Sequence, residues 1–568
     1  MGHLLLLGRA MPRWAILRWV LAVTVITGFT SPGEADARGT GEARETLVES
    51  RLNSLRADGE ALRGFLEEMP KGADLHSHLS GAVTTERLIE WGAADGLCVD
   101  SSTFVAMPPP CAQGAVPIAG ALSDPALYED VLGAWSMEGF QGTLLEAHQH
   151  FFDTFGKFGA ILTDARTDDA IADVLSIAGR NHQVYVELMQ GLNSSIVGGI
   201  ASKYIMPGDT WDEGYLLEKR AQIMTDPVFG STLAQTHRTI EDSINGARRL
   251  LGCATNQPDP GCDVGVRFIL SANRTRDRGY VFAQWVYGYE LTQISPHVVG
   301  VELVSPEENP NSLMYYDDEM LALDVLRRFN LDDPSRRPVH IALHAGELIP
   351  EVLPPTPEGQ RHLTFHIRHA VELAHAERIG HGSDLFDEDE PLDLLREMRD
   401  EGVMVEICLT SNATLLGKVG RTHPVRAYVE HDVPAALATD DEGVLRIDIL
   451  DEFVRAVTLQ QLRYRTLKRM VRTSLEHSFL PGVSLWSVSG RRSEVADACA
   501  HDALGDPYPS VGCARLLADS ERAAMQWELE AELAAFEEAV LRGPDTADEG
   551  DLAPDPASPP ASSPGQTY

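Results

Sequence analysis

In the stretch PKGADLHSHLSGA, residues 70–82, two histidines stand one residue apart, His76 and His78. Residues i and i+2 of a strand point the same way, so both imidazoles would project into one space. They are either two hydrogen-bonded structural histidines or two ligands of a metal ion. Further along, other apolar runs end in similar groups. LHAGE carries His344 and Glu347, RIGHG carries His381, and ATDDEG carries Asp440 and Asp441. Singly, each has an ordinary reading, a histidine satisfied in a core or an aspartate capping a helix. Together, at the ends of successive strand-like runs, they read as one site. His76, His78, His344 and Asp440 are then the metal ligands. Three imidazoles and a carboxylate favour Zn²⁺, one per chain, with other first-row divalent ions as the alternative. A position left for water would be activated, since such metals lower its pKa from about 15.7 to about 7. Glu347 and His381 add a carboxylic acid and an imidazole beside the metal. The chemistry expected is hydrolytic attack on a carbon whose leaving group needs a proton.

These residues must be held by strands that end on one face. Eight runs qualify: ADLHSHL (73–79), VYVELM (184–189), VGVRFIL (264–270), VVGVELV (298–304), VHIALHA (339–345), ERIGH (377–381), VMVEICL (403–409) and PAALAT (434–439). They are short, mostly β-branched, and separated by segments long enough for a crossover helix. Eight such alternations predict an α/β fold, a parallel (β/α)₈ TIM barrel with its site at the C-terminal strand ends. The gap between the first two strands is too long for one helix, so an insertion is expected at 96–165. Within it, Phe151 and Phe155 in HQHFFDTFGKF are either a lid over the pocket or helix core. The expected organisation is a signal peptide at 1–37, a helical lead-in at 38–63 and the barrel at 64–480. A Cys-bearing insertion and C-terminal helix follow at 481–542, and a disordered tail at 543–568.

The signal-peptide expectation rests on Arg9, Arg13 and Arg18, the apolar run WVLAVTVITGF (19–29) and the small-residue site Ala35-Asp36-Ala37. The run is short for an uncleaved anchor, so a secreted or periplasmic protein with no membrane attachment is expected. Seven cysteines agree with an oxidising compartment. By proximity Cys98 pairs with Cys111, Cys253 with Cys262 and Cys499 with Cys513, which leaves Cys408 as a buried thiol. A net charge of −38, from 47 basic and 85 acidic residues, argues against a nucleic-acid partner.

The motifs MPKGADLHSHLSGA, LHAGE, RIGHG, LTSN followed by HPV, and TDDEGV stand in the order found in the adenosine deaminase family, which the chain resembles from about residue 64 to 480. The signal-like start, the long first insertion and the endings TSLEHSFLPG and MQWELEAELAAFEEAV look like its secreted, growth-factor-related branch. The resemblance implies a hydrolase of cyclic amidine C–N bonds that converts adenosine, and 2′-deoxyadenosine, to inosine and ammonia. It implies the same four zinc ligands, Glu347 as the acid that protonates N1, and His381 as the group that orients and deprotonates the water. Asp441 would contact N7. Two positions depart from the pattern. Ser80 stands where a carboxylate usually meets the ribose 5′-hydroxyl, and Ser305 where a glycine usually lies against the purine. Ribose recognition is therefore open, and AMP or another 6-aminopurine is an alternative substrate. A nucleoside-binding, growth-factor-like protein without turnover is the alternative from another class. A two-metal amidohydrolase would want a lysine on the fourth strand, and VVGVELV has none. The partner expected is a small-molecule purine nucleoside; oligomeric state stays open, a homodimer included.

Overall fold

Strands buried on both faces read as continuous apolar runs, and the eight runs become the strands of one parallel sheet. The computed structural model describes residues 34–489 and 492–542, with side chains from 41 to 487 and from 494 to 542. The strands are β1 (Gly72–His78), β2 (Gln183–Gln190), β3 (Gly265–Asn273) and β4 (Val298–Val304). They continue as β5 (His340–Ala345), β6 (Arg378–His381), β7 (Met404–Ile407) and β8 (Ala435–Leu437). They pair in chain order from β1 to β8. The two edges meet through a parallel bridge between Ser77 and Asp440. Around it the His78 amide donates to the Asp440 carbonyl (3.2 Å) and the Asp440 amide to the His76 carbonyl (2.9 Å). Thr439 ties the same junction, its amide and hydroxyl both donating to Asp74 Oδ2 at 3.2 and 2.7 Å. This is the (β/α)₈ barrel expected, and its closure sets Asp440 beside the two histidines of β1.

Two strands end earlier than their composition suggests. After β7 the chain turns at Cys408 into the helix Leu409–Leu416. The Glu452 carboxylate accepts the first two helical amides, Leu409 at 2.6 Å and Thr410 at 3.0 Å, so the helix starts where an apolar run would otherwise extend the strand. β8 stops at Leu437 because Thr439 is drawn to Asp74.

The chain divides into two units, residues 1–44 and 45–568. Of the first, residues 34–44 are described and begin the helix Glu34–Leu55. The expected signal peptide lies outside the described residues apart from 34–37, and the expected tail, 543–568, lies wholly outside them. Among the described residues no helix is long and apolar enough to cross a membrane.

The segment between β1 and β2 holds a three-stranded antiparallel sheet, with Cys98–Asp100 between Ala106–Met107 and Ala115–Pro117. Helices Pro125–Trp135 and Leu144–Phe158 follow. The second starts at a capping box of Thr143 and Glu146 and packs on the helix Leu409–Leu416. Its Phe151 is 3% exposed and, with Phe155, packs into the main apolar core. The lid reading of these rings gives way to the helix-core one. All three proximity pairings are disulfides, Cys98–Cys111, Cys253–Cys262 and Cys499–Cys513, and Cys408 is a buried free thiol. At the other end, Glu521–Arg542 packs on Tyr464–Glu476 through Lys468–Glu537 and Arg472–Glu530 ion pairs, each 2.6 Å.

Candidate active site

β1 presents His76 and His78 with ring centroids 5.4 Å apart. β5 brings His344, whose Nε2 lies 3.1 Å from His78 Nε2. The β8–β1 closure supplies Asp440, its Oδ1 at 3.3 Å from His78 Nε2 and 3.6 Å from His76 Nε2. One ligand atom from each of the four lies within 4.8 Å of all the others. Two glycines in the quoted motifs permit this crowding. A Cβ on Gly380 would sit 2.6 Å from His76 Cε1, and one on Gly81 only 1.6 Å from Asp441 Oδ1. The Ser-Gly after the paired histidines is thus a place where two chain segments touch.

The donor set fits a metal ion. Each buried imidazole spends its Nδ1 on a carboxylate, His76 on Glu406 Oε2 at 2.6 Å and His344 on Glu302. An imidazole that donates at Nδ1 keeps its lone pair at Nε2, the arrangement of metal-ligating histidines. His76 Nε2 is buried with no hydrogen-bond partner. The Nε2 atoms of His78 and His344, 3.1 Å apart and facing the Asp440 carboxylate, can converge on one cation. Glu406 also ion-pairs with Arg378 at 2.7 Å, and Arg378 with Glu187 at 2.7 Å, so these three buried charges are paired. Glu187, Glu302 and Glu406 were not singled out from sequence. Their signal was there: each is a lone acid inside an apolar strand run, and such a charge must be paired when buried.

Glu347 and His381 face each other across the same space, His381 Nε2 lying 3.7 Å from Glu347 Oε1. Burial, reinforced by the negative charge of Asp440, holds the Glu347 carboxyl well above the usual carboxylate range, which favours its protonated form. Its backbone is fixed by Glu307, whose two oxygens accept the amides of Gly346 (3.2 Å) and Glu347 (2.7 Å). Although burial works against it, His366 and Arg274 hold the Glu307 carboxyl down to about 2. Burial depresses His381 to about 3, a neutral ring. A second trio of near ligand atoms, Glu347, His381 and Asp440, shares the carboxylate of the first group.

Asp441 stands at the N-cap of Glu442–Leu445 but makes no side-chain cap bond, and its buried Oδ1 has no partner. The capping reading of the Asp-Asp pair therefore fails for its second member. Burial and the adjoining Asp440 charge raise its carboxyl well above the usual range. Ser80 is exposed on the turn Leu79–Ala82, just past His76 and His78 of β1. Ser305, just past β4, has φ +82°, the left-handed region that favours glycine. It keeps the backbone that a glycine would take while adding a hydroxymethyl group. Behind His381, Asn412 and His423 from LTSN and HPV form a hydrogen-bonded row; sequence reasoning used both motifs without giving either residue a part.

Residues 233–485 match the adenosine deaminase family model. That segment includes His344, Glu347, His381, Asp440 and Asp441, and the two histidines of β1 precede it. An adenosine deaminase from Escherichia coli is 32% identical over 143 residues, 25% of this chain and 38% of that protein. One from Clostridium kluyveri is 27% identical over 143 residues, 25% of this chain and 36% of its own length. The chain thus spans little more than a third of these relatives. The crystal structure of adenine deaminase from Arthrobacter aurescens superposes with a TM-score of 0.44 at 17% identity, over 72% of this chain and 94% of that one. Over residues 233–485 the chain carries a domain that matches the adenosine deaminase family.

Proposed function

We propose that this protein is an exported, zinc-dependent deaminase of 6-aminopurine nucleosides, with adenosine (and 2′-deoxyadenosine) as substrate and inosine and ammonia as products. One observation carries the reading: a buried acid, Glu347, and an imidazole, His381, converge on four side chains able to hold a metal at the C-terminal strand ends of one barrel. His76, His78, His344 and Asp440 hold the ion. Zinc bound there supplies an acidified water as nucleophile. Glu347 donates its proton to N1 of the purine, which draws electron density from C6 and opens it to attack. His381 orients the attacking oxygen through Nε2. Asp441 contacts N7 and fixes the ring plane. The tetrahedral adduct at C6 then collapses with loss of ammonia. A complete acid and ligand set favours turnover over mere nucleoside binding. Export, and placement in the secreted, growth-factor-related branch, are supported by the three disulfides and the signal-like N-terminal sequence.

A second reading has its own support. Ser80 is neutral where the family pattern has a carboxylate, so a 5′-phosphate would meet no like charge there, and AMP is its substrate. The deciding experiment follows ammonia release from adenosine, 2′-deoxyadenosine, AMP and adenine, with metal analysis of the same sample. Turnover of adenosine with one zinc per chain is expected. Two ions per chain in active protein, or full activity after exhaustive chelation, would overturn the proposal. Preference for AMP would move it to the second reading.

A further inference from the structure

The hydrogen-bonded row behind His381 has a direction, and its far end fixes it. The backbone amide of Val425 is a donor and nothing else, and it points at His423 Nδ1 at 3.1 Å. That nitrogen therefore carries a lone pair, and the hydrogen of the ring is on Nε2. His423 Nε2 then donates to Asn412 Oδ1 at 2.9 Å. A carboxamide has one oxygen and one nitrogen, so Asn412 turns its NH₂ towards His381 Nδ1, 2.9 Å away. His381 Nδ1 accepts, and the hydrogen of that ring also sits on Nε2. Asn412 is fully buried and His423 is 2% exposed, so no solvent competes for either group. His381 Nε2 is itself buried and lacks a hydrogen-bond partner among the described residues.

We propose that Asn412 and His423 are positioning residues that lock His381 as a donor at Nε2. In the resting enzyme His381 gives a hydrogen bond from Nε2 to the attacking oxygen. This deepens the deaminase reading and rests on it for the identity of that oxygen. It also departs from what the family resemblance implies, a base at this position. Polarity runs from an unalterable peptide N–H through two side chains into the site. It therefore survives any change in the surface of the protein.

The test is solid-state ¹⁵N NMR of the full chain, loaded with Zn²⁺ and labelled in its histidine rings. The His381 signals are identified as those lost in His381→Gln. Wild type should show an unprotonated Nδ1 and a protonated Nε2 for this residue. Asn412→Asp is close in shape but can only accept, so the two signals should exchange character. In that variant kcat should fall at least tenfold while zinc content stays the same. A wild-type spectrum with Nδ1 protonated would overturn the proposal, and so would unchanged His381 signals in Asn412→Asp. If that variant does not fold, the wild-type spectrum alone decides. No step of the spectroscopic test needs turnover, so failure of the deaminase reading and failure of this one are told apart.

Discussion

Replacing Glu347 by glutamine removes one transferable proton and little else. The side chain keeps its shape, and the two amides that anchor its backbone to Glu307 are main-chain groups the substitution does not touch. Burial and the Asp440 charge push the wild-type carboxyl towards its neutral form, and from that form the change to an amide leaves the net charge of the site as it was. Three magnitudes follow. General acid catalysis is worth about 10² to 10⁴ in rate, so kcat should fall by at least ~10²-fold, about 2.7 kcal/mol of barrier or more. KM should change by less than about threefold, because an amide N–H can still donate to N1 in the bound ground state. Metal content and thermal stability should stay near wild type, within about 0.5 kcal/mol, since no ligand and no charge is lost. The assay is steady-state ammonia release from adenosine, with zinc analysis and a melting curve on each preparation. A variant that loses its metal would show Glu347 to be a ligand. One that keeps a tenth of wild-type kcat would show that the proton on N1 comes from elsewhere.

Ser80→Asp places a carboxylate at the turn after β1, where it should raise kcat/KM for adenosine by about 1 kcal/mol and sharply reduce any turnover of AMP, through like-charge repulsion. An unchanged adenosine-to-AMP ratio would mean that Ser80 does not face the 5′ end of the substrate. The second expectation concerns pH. Burial holds His423 down to about 3, against about 6.5 for an ordinary histidine. Between those values the unfolded chain binds a proton that the folded one refuses, so stability falls as pH drops below about 6.5. The cost from this residue reaches about 2 kcal/mol by pH 5. Urea unfolding at pH 7.5 and pH 5 should show a difference smaller by that amount in His423→Gln; an equal difference in both proteins would refute it.

Much of this molecule was legible because its strands are buried on both faces and therefore read as apolar runs with a reactive residue at one end. LHAGE and RIGHG announce both a strand and what the strand delivers. The disulfides were legible for a simpler reason, since each closes a loop of 9 to 14 residues. What escaped were groups defined by their partners. Glu302 and Glu406 sit within strands already read as apolar, and their meaning comes from imidazoles on other strands. Asn412 and His423 depend on each other and on a peptide N–H that no pattern displays. Phe151 carries a spacing that fits a lid and a core alike, and only its burial separates the two. The early ends of β7 and β8 also come from side chains elsewhere, Glu452 and Asp74, competing for backbone and hydroxyl donors.

The junction between β8 and β1 has a consequence for how the protein comes into being. Asp74 and Thr439, which clasp it, are 365 residues apart in the chain. During synthesis His76 and His78 emerge long before Asp440, and in the interval they are two ligands without a site. Contacts of such long range are the slow ones in folding, so the carboxylate joins the imidazoles only when the last strand docks on the first. Competence to hold the ion is thus a report that the whole ring has been assembled. A chain cut short before residue 440 keeps the three imidazoles of the proposed metal site and has no means of bringing the carboxylate to them.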